Sequence, residues 1–217
     1  MHVGHFATGL IGKRVDSRLS LGTMILASML ADVLWCVFML AGVEEVQITN
    51  GRGAGNYFHP INIALSHSLA MLFVWGAVFA GVHFWLRRSK RSALLLFSLV
   101  LLHWPLDVVA HKSDMPLAPG LAQQFGFGLW TNVIATIIVE GGLWLLSLVI
   151  YLRVTRSRSK LALLVFWPGV LLVILLWLNN IAGPPPPDIR IAPLASLIYF
   201  LLVVAWGYWL NRLRPAR

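Results

Sequence analysis

Six apolar runs of about 20 residues divide the chain, and their length constrains the fold more than any other feature. About 20 apolar residues are what an α-helix needs to cross a hydrocarbon core of ~30 Å. Lipid offers no partners for backbone polar groups, and the alternating pattern of a barrel strand is missing from this sequence. We therefore predict one all-α membrane domain over residues 1–217, a bundle of about six transmembrane helices. The predicted spans are 21–42, 61–86, 92–111, 129–152, 161–182 and 191–210.

The distribution of basic residues predicts how the bundle is oriented. The N-terminal segment, the second and fourth loops and the C-terminal tail hold 14 of the 17 Lys and Arg residues, and the first, third and fifth loops hold the other three. Loops rich in Lys and Arg stay on the cytoplasmic side of a membrane. We therefore expect both termini in the cytoplasm and a multi-pass protein of an inner (plasma) membrane.

The formal net charge of +9 does not indicate a nucleic-acid partner, because the basic residues lie in short loops between spans. Topology and attraction to anionic headgroups explain that charge, so membrane lipids are the expected partners and nucleic acid is not. The single cysteine, Cys36, excludes an internal disulfide and Cys-based zinc motifs.

The segment before the first predicted span, residues 1–20, predicts a short helix that stays on the protein. Its apolar stretch precedes the basic residues Lys13, Arg14 and Arg18, which is the reverse of the order in a cleavable signal peptide. We expect this helix to lie at the membrane interface or to dip into the membrane. His5 joins a site inside the bundle only if the helix inserts.

The third span carries three ionisable residues on one face. His103, Asp107 and His111 follow one another at intervals of four residues, which aligns them along a helix. Imidazole and carboxylate are suitable ligands for zinc and related metals. The alternative is that they form only hydrogen bonds between helices. Ionisable groups inside a span are expensive and usually functional, so we favour a metal site.

A second polar stripe follows on the fourth span, where Asn132, Thr136 and Glu140 are again four residues apart. The two stripes lie on consecutive helices, so we expect them to face each other. Glu140 is then a candidate general base. Alternatively, it is protonated and bonded to a backbone carbonyl.

Asp32 in the first span and His67 near the start of the second complete the candidate set. With a rise of ~1.5 Å per residue, we place Asp107, His67, His103 and Asp32 at depths of roughly 6, 9, 12 and 15 Å from the outer end, with His111 near the surface. These depths overlap, so a site opening outward is expected. Its metal would be held by His67, His103 and Asp107, with Asp32 or His111 completing the shell. Asp32 is also an alternative general base.

The same residues give a resemblance to a family. The pair Gly4-His5, the mid-span Asp32, the pair His67-Ser68 and the His-x-x-x-Asp of the third span resemble the bacterial membrane-bound metal-dependent hydrolases, which are remotely similar to zinc-dependent phospholipase C. The likeness covers roughly residues 1–115. It implies that His5, Asp32, His67, His103 and Asp107 are metal ligands. The family often has Asp-x-Asp and Arg-Gly-x-Thr motifs, and this chain has neither at the matching positions.

From the sequence we expect a membrane-embedded hydrolase that uses a divalent metal, zinc above all, and acts on a lipid or other amphiphilic ester or phosphoester. A serine hydrolase with Ser66 or Ser68 as nucleophile is a weaker form of this expectation, because the chain has no nucleophile elbow. The alternative from another class is a small transporter or channel in which the same groups relay protons or metal. A membrane scaffold without activity is a third interpretation.

Overall fold

A computed structural model describes residues 1–50, residue 53 and residues 57–217 of the chain. Arg52, the basic residue of the first loop, lies outside the described residues. The described part contains nine α-helices and two short hairpins, which confirms the all-α helical bundle. The helices are α1 His2–Val15, α2 Leu21–Ser28, α3 Leu30–Leu40, α4 Ala64–His67, α5 Leu69–Arg87, α6 Lys90–Ala110, α7 Val133–Val154, α8 Lys160–Ala182 and α9 Ile191–Leu213.

The long helices α5 to α9 are each long and apolar enough to cross a membrane, and α2 with α3 forms a sixth span if the bent pair is counted as one. Their outward faces carry exposed aliphatic side chains such as Ile134 and Leu164, as lipid-facing surfaces do. The protein is therefore a multi-pass membrane protein with five or six spans. The side of the membrane that each end faces stays a prediction.

Serine and asparagine side chains determine where several spans begin. The hydroxyls of Ser20, Ser68, Ser89 and Ser159 each accept a hydrogen bond from a backbone N–H in the first turn of the next helix, and Asn132 does so with its side-chain oxygen. These are preferred N-cap residues because they satisfy a donor that has no partner inside the helix. Polar residues just before apolar runs thus account for the helix starts.

The second span begins later than we predicted from residue 61. Two strands, β1 Glu45–Ile48 and β2 Phe58–Asn62, pair antiparallel, so residues 61 and 62 belong to a hairpin. The chain then forms the single turn α4, is extended at Ser68 and continues as α5. A second hairpin, β3 Met115–Pro116 with β4 Gln124–Phe125, and a 3-10 turn at Leu129–Thr131 precede α7.

The N-terminal helix α1 lies in the centre of the bundle, not at its surface. Val3, Phe6, Ala7 and Leu10 are each at most 1% exposed, and α1 contacts α2, α6, α7 and α8. It packs against both α6 and α7, so the polar stripes of those helices face α1 and not each other as we expected. The N-terminal helix is therefore inserted, which is the condition under which we expected His5 to join a site inside the bundle.

Lys13 explains how a helix with basic residues enters the core. Its side chain is buried, and Nζ donates hydrogen bonds of 2.7 Å to the carbonyl of Leu19 and to Asn211 Oδ1. A buried ammonium is tolerated when its donors are satisfied in this way. The sequence left open whether this helix lies at the interface or enters the membrane, and the partners of Lys13 lie outside α1.

The predicted first span is broken at Met29, where α2 and α3 meet at an angle of 59°. The break lies between Ser28, the last residue of α2, and Asp32 in the first turn of α3. Irregular backbone at membrane depth is found where protein or a cavity covers it. Here it is covered by α1 and α6, and it lies beside the candidate site.

Candidate metal centre

Five predicted ligand residues come together at one end of the bundle. They form two overlapping groups, His5 with His103 and Asp107, and Asp32 with His67 and His103, and within each group the candidate ligand atoms lie within 4.8 Å of one another. They come from four elements, α1, α3, α4 and α6. All are buried except Asp32, whose side chain is 21% exposed. The predicted convergence of residues distant in sequence is thus present.

Asp107 occupies the middle of this cluster and uses its two oxygens differently. Oδ1 accepts from the main-chain nitrogen of Met1 and lies 2.9 Å from His5 Nε2. Oδ2 lies 3.0 Å from His103 Nε2 and 3.9 Å from His67 Nε2. Oδ1 therefore faces His5 and Oδ2 faces His103 and His67, while the rings of His5 and His103 stack on each other with centroids 3.6 Å apart. The i, i+4 spacing in α6 places His103 and Asp107 on one face, as predicted.

The protonation of His103 follows from its outer contact. Its Nδ1 lies 2.9 Å from the carbonyl oxygen of Ser28, which can only accept, so Nδ1 carries the proton. In a neutral ring, Nε2 is then a lone-pair acceptor, and it points to carboxylate oxygens of Asp107 at 3.0 Å and Asp32 at 3.9 Å. A carbonyl that fixes the ring in this way is common behind metal-binding histidines.

His67 is fixed by a relay that sequence analysis missed. Glu44 lies between α3 and β1, is buried, and accepts from the backbone N–H of Ser66 at 2.8 Å and from its hydroxyl at 2.6 Å. The Ser66 hydroxyl donates its only proton to Glu44. Its oxygen is therefore free to accept a hydrogen bond from His67 Nδ1–H at 2.7 Å. The Nε2 lone pair of His67 then faces Asp32 Oδ1 at 3.5 Å.

Acceptor atoms therefore meet acceptor atoms in the centre of the cluster. Two imidazole lone pairs and two carboxylates face one another, and buried carboxylates require a compensating positive charge. The Met1 ammonium supplies it for Asp107, at Oδ1, and extra protons on the imidazoles or a bound cation would supply it for the other carboxylate. Ligand atoms around a tetrahedral zinc, at bond lengths of about 2.0–2.1 Å, lie roughly 3.3 Å apart. The four spacings among His67, His103, Asp32 and Asp107 range from 3.0 to 3.9 Å, so the residues present fit a metal of this size.

A cavity of about 150 Å³ adjoins the cluster and is lined by His5, Asp32, His67 and Asp107. The β1–β2 hairpin contributes apolar side chains to its wall, including Val46 and Phe58, and α8 and α9 contribute Asn180 and Ser196. Taking ~30 Å³ per water molecule, this space holds about five waters. It admits a small polar group beside the carboxylates.

Glu140 lies beside the cluster but its oxygens bind other partners. One accepts from the backbone N–H of Val3 at 3.0 Å and the other from Trp130 Nε1–H at 2.6 Å. Both contacts are donors, so the carboxylate acts as an acceptor here and satisfies an N–H in the first turn of α1. Glu140 thereby anchors the helix that carries His5. Its role as general base stays a prediction.

His111 lies at the edge of the cavity and outside the two ligand groups. Its Nδ1 is 3.0 Å from Asp114 Oδ1, and its ring packs against Trp130 at a centroid distance of 4.8 Å. It ends α6 as the C-cap residue, where the backbone turns away from the cluster. The prediction that His111 is an alternative ligand to Asp32 is not supported by any contact with the cluster among the described residues.

Neither serine considered as a nucleophile is arranged for that role. Ser68 accepts from the backbone N–H of Met71 as the N-cap of α5, and the Ser66 hydroxyl donates to Glu44. In a catalytic triad the hydroxyl donates to the imidazole and the acid binds the other ring nitrogen. Here the acid binds the hydroxyl itself, so the order of the groups is different.

An apolar layer separates the cluster from the opposite end of the bundle. Between His103 and Ser92 on α6, the buried residues are Leu96, Leu99 and Val100, and they pack with buried apolar residues of α2 and α5. On α1, the buried side chains between His5 and Lys13 are apolar. Within the described residues, these two helices offer no buried polar chain from one end of the bundle to the other.

Comparison with known proteins adds no relative: no family model, curated protein or solved structure matches this chain.

Proposed function

We propose that this protein is a membrane-embedded hydrolase that holds one divalent metal, zinc, on His67, His103 and Asp107 and acts on a lipid or other amphiphilic ester or phosphoester. The observation that carries the proposal is that two imidazole lone pairs face two carboxylates in the cluster. Outer contacts with Ser28 and Ser66 direct both Nε2 lone pairs toward the carboxylates. Apart from the Met1 nitrogen, which donates to Asp107 Oδ1, the donors of His67 and His103 point away from the centre, which suits a cation.

A single metal accounts for both ligand groups. His103 belongs to both groups, and its Nδ1 is bonded to Ser28, so it has only one nitrogen left to offer. His5 faces the other oxygen of Asp107, at 2.9 Å, and acts as the partner that orients the carboxylate. Replacing a partner of this kind, one contact behind the ligands, typically costs about 10- to 100-fold in metal affinity.

The remaining carboxylate, Asp32, is the candidate general base. It is the most exposed member of the cluster and lines the cavity, 3.5 Å from His67 Nε2. A bound zinc would supply a Lewis acid that polarises the scissile group and lowers the pKa of water. Asp32 would accept the proton of the attacking water, and three protein ligands leave the position that a catalytic site needs.

The dimensions of the cavity favour a substrate with one small reactive group. A volume of about 150 Å³ admits an ester or phosphoester group but not a whole lipid, since pockets that take a drug-sized ligand measure roughly 300–1,000 Å³. Aromatic residues Trp35, Phe58 and Phe200 also line it, which suits an adjoining acyl chain. We therefore expect the apolar part of the substrate to stay outside.

The relay alternative receives less support from the fold. A proton or ion path must cross the bundle, and α1 and α6 bury apolar side chains between the cluster and the opposite end. A hydrolase needs a site open to one side only. The same proposal assigns the chain to the bacterial membrane-bound metal-dependent hydrolases and to a bacterial inner membrane. Its support is that the five residues of that resemblance lie together and that Lys and Arg alternate between the loops.

The decisive experiment is elemental analysis of protein purified without chelator. We expect about one zinc per chain in wild type and in the control His83→Ala, whose imidazole lies on α5, four residues before that helix ends at Arg87. His103→Ala should lose the metal while the bundle still folds in detergent. Wild-type protein that remains empty when zinc or manganese is supplied would exclude the metal site.

Asp32→Asn separates the two roles proposed for that carboxylate. As a base, Asp32 is needed for turnover, so the variant should retain zinc and lose roughly 100-fold or more in the rate of hydrolysis of a fluorogenic ester or phosphoester. Loss of zinc together with activity would identify Asp32 as a ligand. Metal in the wild type without zinc-dependent hydrolysis, but with flux into liposomes, would favour the transporter.

A further inference from the structure

A basic groove lies at the end of the bundle opposite the metal centre. It is formed by the turn from α1 to α2, the turn from α5 to α6, and Tyr208 on α9, and it encloses about 1070 Å³. Four arginines from two segments of the chain line it: Arg14, Arg18, Arg87 and Arg91. This convergence brings together residues that are far apart in sequence. We call it the arginine groove.

The arginine groove has a net positive charge because it contains a single carboxylate, Asp16. Asp16 Oδ2 accepts from the Ser92 hydroxyl at 2.6 Å, and Oδ1 accepts from the backbone N–H of Arg18 at 3.0 Å. Burial raises the pKa of Asp16, but these hydrogen bonds and the nearby Arg91 outweigh it and hold the pKa below its usual value. Four guanidinium groups and one carboxylate leave a net charge of +3.

Two helix N-termini add to this field. Ser20 caps α2 and Ser89 caps α6, and both serines line the arginine groove. The first turn of a helix presents backbone N–H groups and the positive end of the helix dipole, both of which attract anions. Hydroxyl groups of Thr23 and Tyr208, 3.0 Å apart, provide further donors on the same wall.

Apolar side chains at the rim of the arginine groove indicate what kind of anion fits. Val15 and Leu86 line it and are 45% and 63% exposed, and the neighbouring Trp85 is 68% exposed. An anion that carries hydrocarbon chains can place its charged part among the arginines and its chains along the outer face of α5. A free phosphate ion has no apolar part that could contact this border.

We propose that the arginine groove is a specific binding site for the phosphate-bearing headgroup of an anionic membrane lipid. Its charge, its hydroxyl donors and its apolar border each match one part of such a molecule. Basic pockets between transmembrane helices bind headgroups of this class. The site is independent of the metal centre, because the apolar layer of Leu96, Leu99 and Val100 lies between the two ends.

The test compares two pairs of arginines that carry the same charge at the same end of the bundle. Arg18→Gln with Arg87→Gln removes two groove residues whose guanidinium groups make no hydrogen bond to the described residues. Arg156→Gln with Arg158→Gln is the control, since both side chains are exposed in the loop before α8. The full-length protein is placed in nanodiscs of phosphatidylcholine with increasing amounts of cardiolipin or phosphatidylglycerol, and retained lipid is measured by native mass spectrometry.

We expect the groove pair to lower lipid affinity by roughly 10- to 30-fold and the control pair by less than twofold. An equal loss of lipid affinity in both pairs would mean that the basic loops attract anionic lipid by charge alone and that the arginine groove is not a specific site. Binding of inorganic phosphate as tight as that of cardiolipin would contradict the assignment to a lipid. Unchanged zinc content and thermal unfolding of each variant show that it is folded, so a loss of lipid is then due to the arginine groove. If the groove pair fails to fold, Arg87→Gln alone makes the same test, with an expected loss of about fivefold.

Discussion

The relay from Glu44 through Ser66 to His67 gives the sharpest test of the metal centre. In wild type, the Glu44 carboxylate accepts a hydrogen bond from the Ser66 hydroxyl at 2.6 Å, so the hydroxyl oxygen accepts one from His67 Nδ1–H. Glu44→Gln places an amide that can donate to that oxygen instead. The hydroxyl proton then turns to His67 Nδ1, and the ring carries its proton on Nε2, the atom that faces the cluster.

The expected cost follows from this change of tautomer. A ring protonated on Nε2 must move this proton to Nδ1, and so lose the hydrogen bond that Nδ1 accepts from Ser66, before Nε2 can bind metal. Substitutions of outer partners typically weaken metal binding by 10- to 100-fold. That range corresponds to about 1.4–2.7 kcal/mol. We expect the zinc dissociation constant of Glu44→Gln, measured by competition with a chelator, to rise within this range. Glu45→Gln removes the same charge from the adjacent, exposed residue and should have no effect.

A double-mutant cycle with Ser66→Ala strengthens the test. If Glu44 acts through the Ser66 hydroxyl, the two substitutions share one effect, and their combined cost is less than the sum. Additive losses would mean that Glu44 acts by another route. If Glu44→Gln binds zinc as tightly as wild type and Glu45→Gln do, then outer contacts do not fix the tautomer of His67.

Two further predictions concern the architecture. Glu140→Gln should lower the free energy of unfolding by about 1–3 kcal/mol in detergent, because a buried N–H loses its acceptor; unchanged stability with lost turnover would instead support Glu140 as the general base. Reporter fusions after Ser89 should be cytoplasmic and fusions after Ser113 should lie on the outer side, and the opposite result would overturn the orientation argued from Lys and Arg.

Local spacing predicted the part of the site that lies within one helix. His103 and Asp107 share a face of α6 because a helix repeats every 3.6 residues, and that rule needs no knowledge of the fold. Asp32 and His67 were placed with them by depth alone, since antiparallel spans of known length bring certain residues to the same level. Rise per residue is a property of every helix, so these positions were accessible from sequence.

Glu44 was not accessible by the same rules. It lies past the end of α3, where a carboxylate is ordinarily solvated, and it reaches Ser66 only because the chain turns back through the β1–β2 hairpin. The burial of α1 was equally hidden, because it depends on Lys13 finding acceptors at Leu19 and at Asn211, which is 198 residues away. Both features rest on contacts between distant segments, which periodicity does not report.

Two irregular points of the backbone lie beside the candidate site: the break at Met29 between α2 and α3, and the extended Ser68 that precedes the span α5. At Met29 the chain bends by 59°, and the carbonyl of Ser28 accepts from His103. At Ser68 the chain is extended between α4 and α5, which leaves His67 at the end of a single helical turn. Broken helices inside a membrane expose backbone groups that lipid cannot satisfy, so they occur where protein or a polar cavity covers them. Here one break supplies the acceptor that orients His103 and the other presents His67, so both irregularities serve the same five residues.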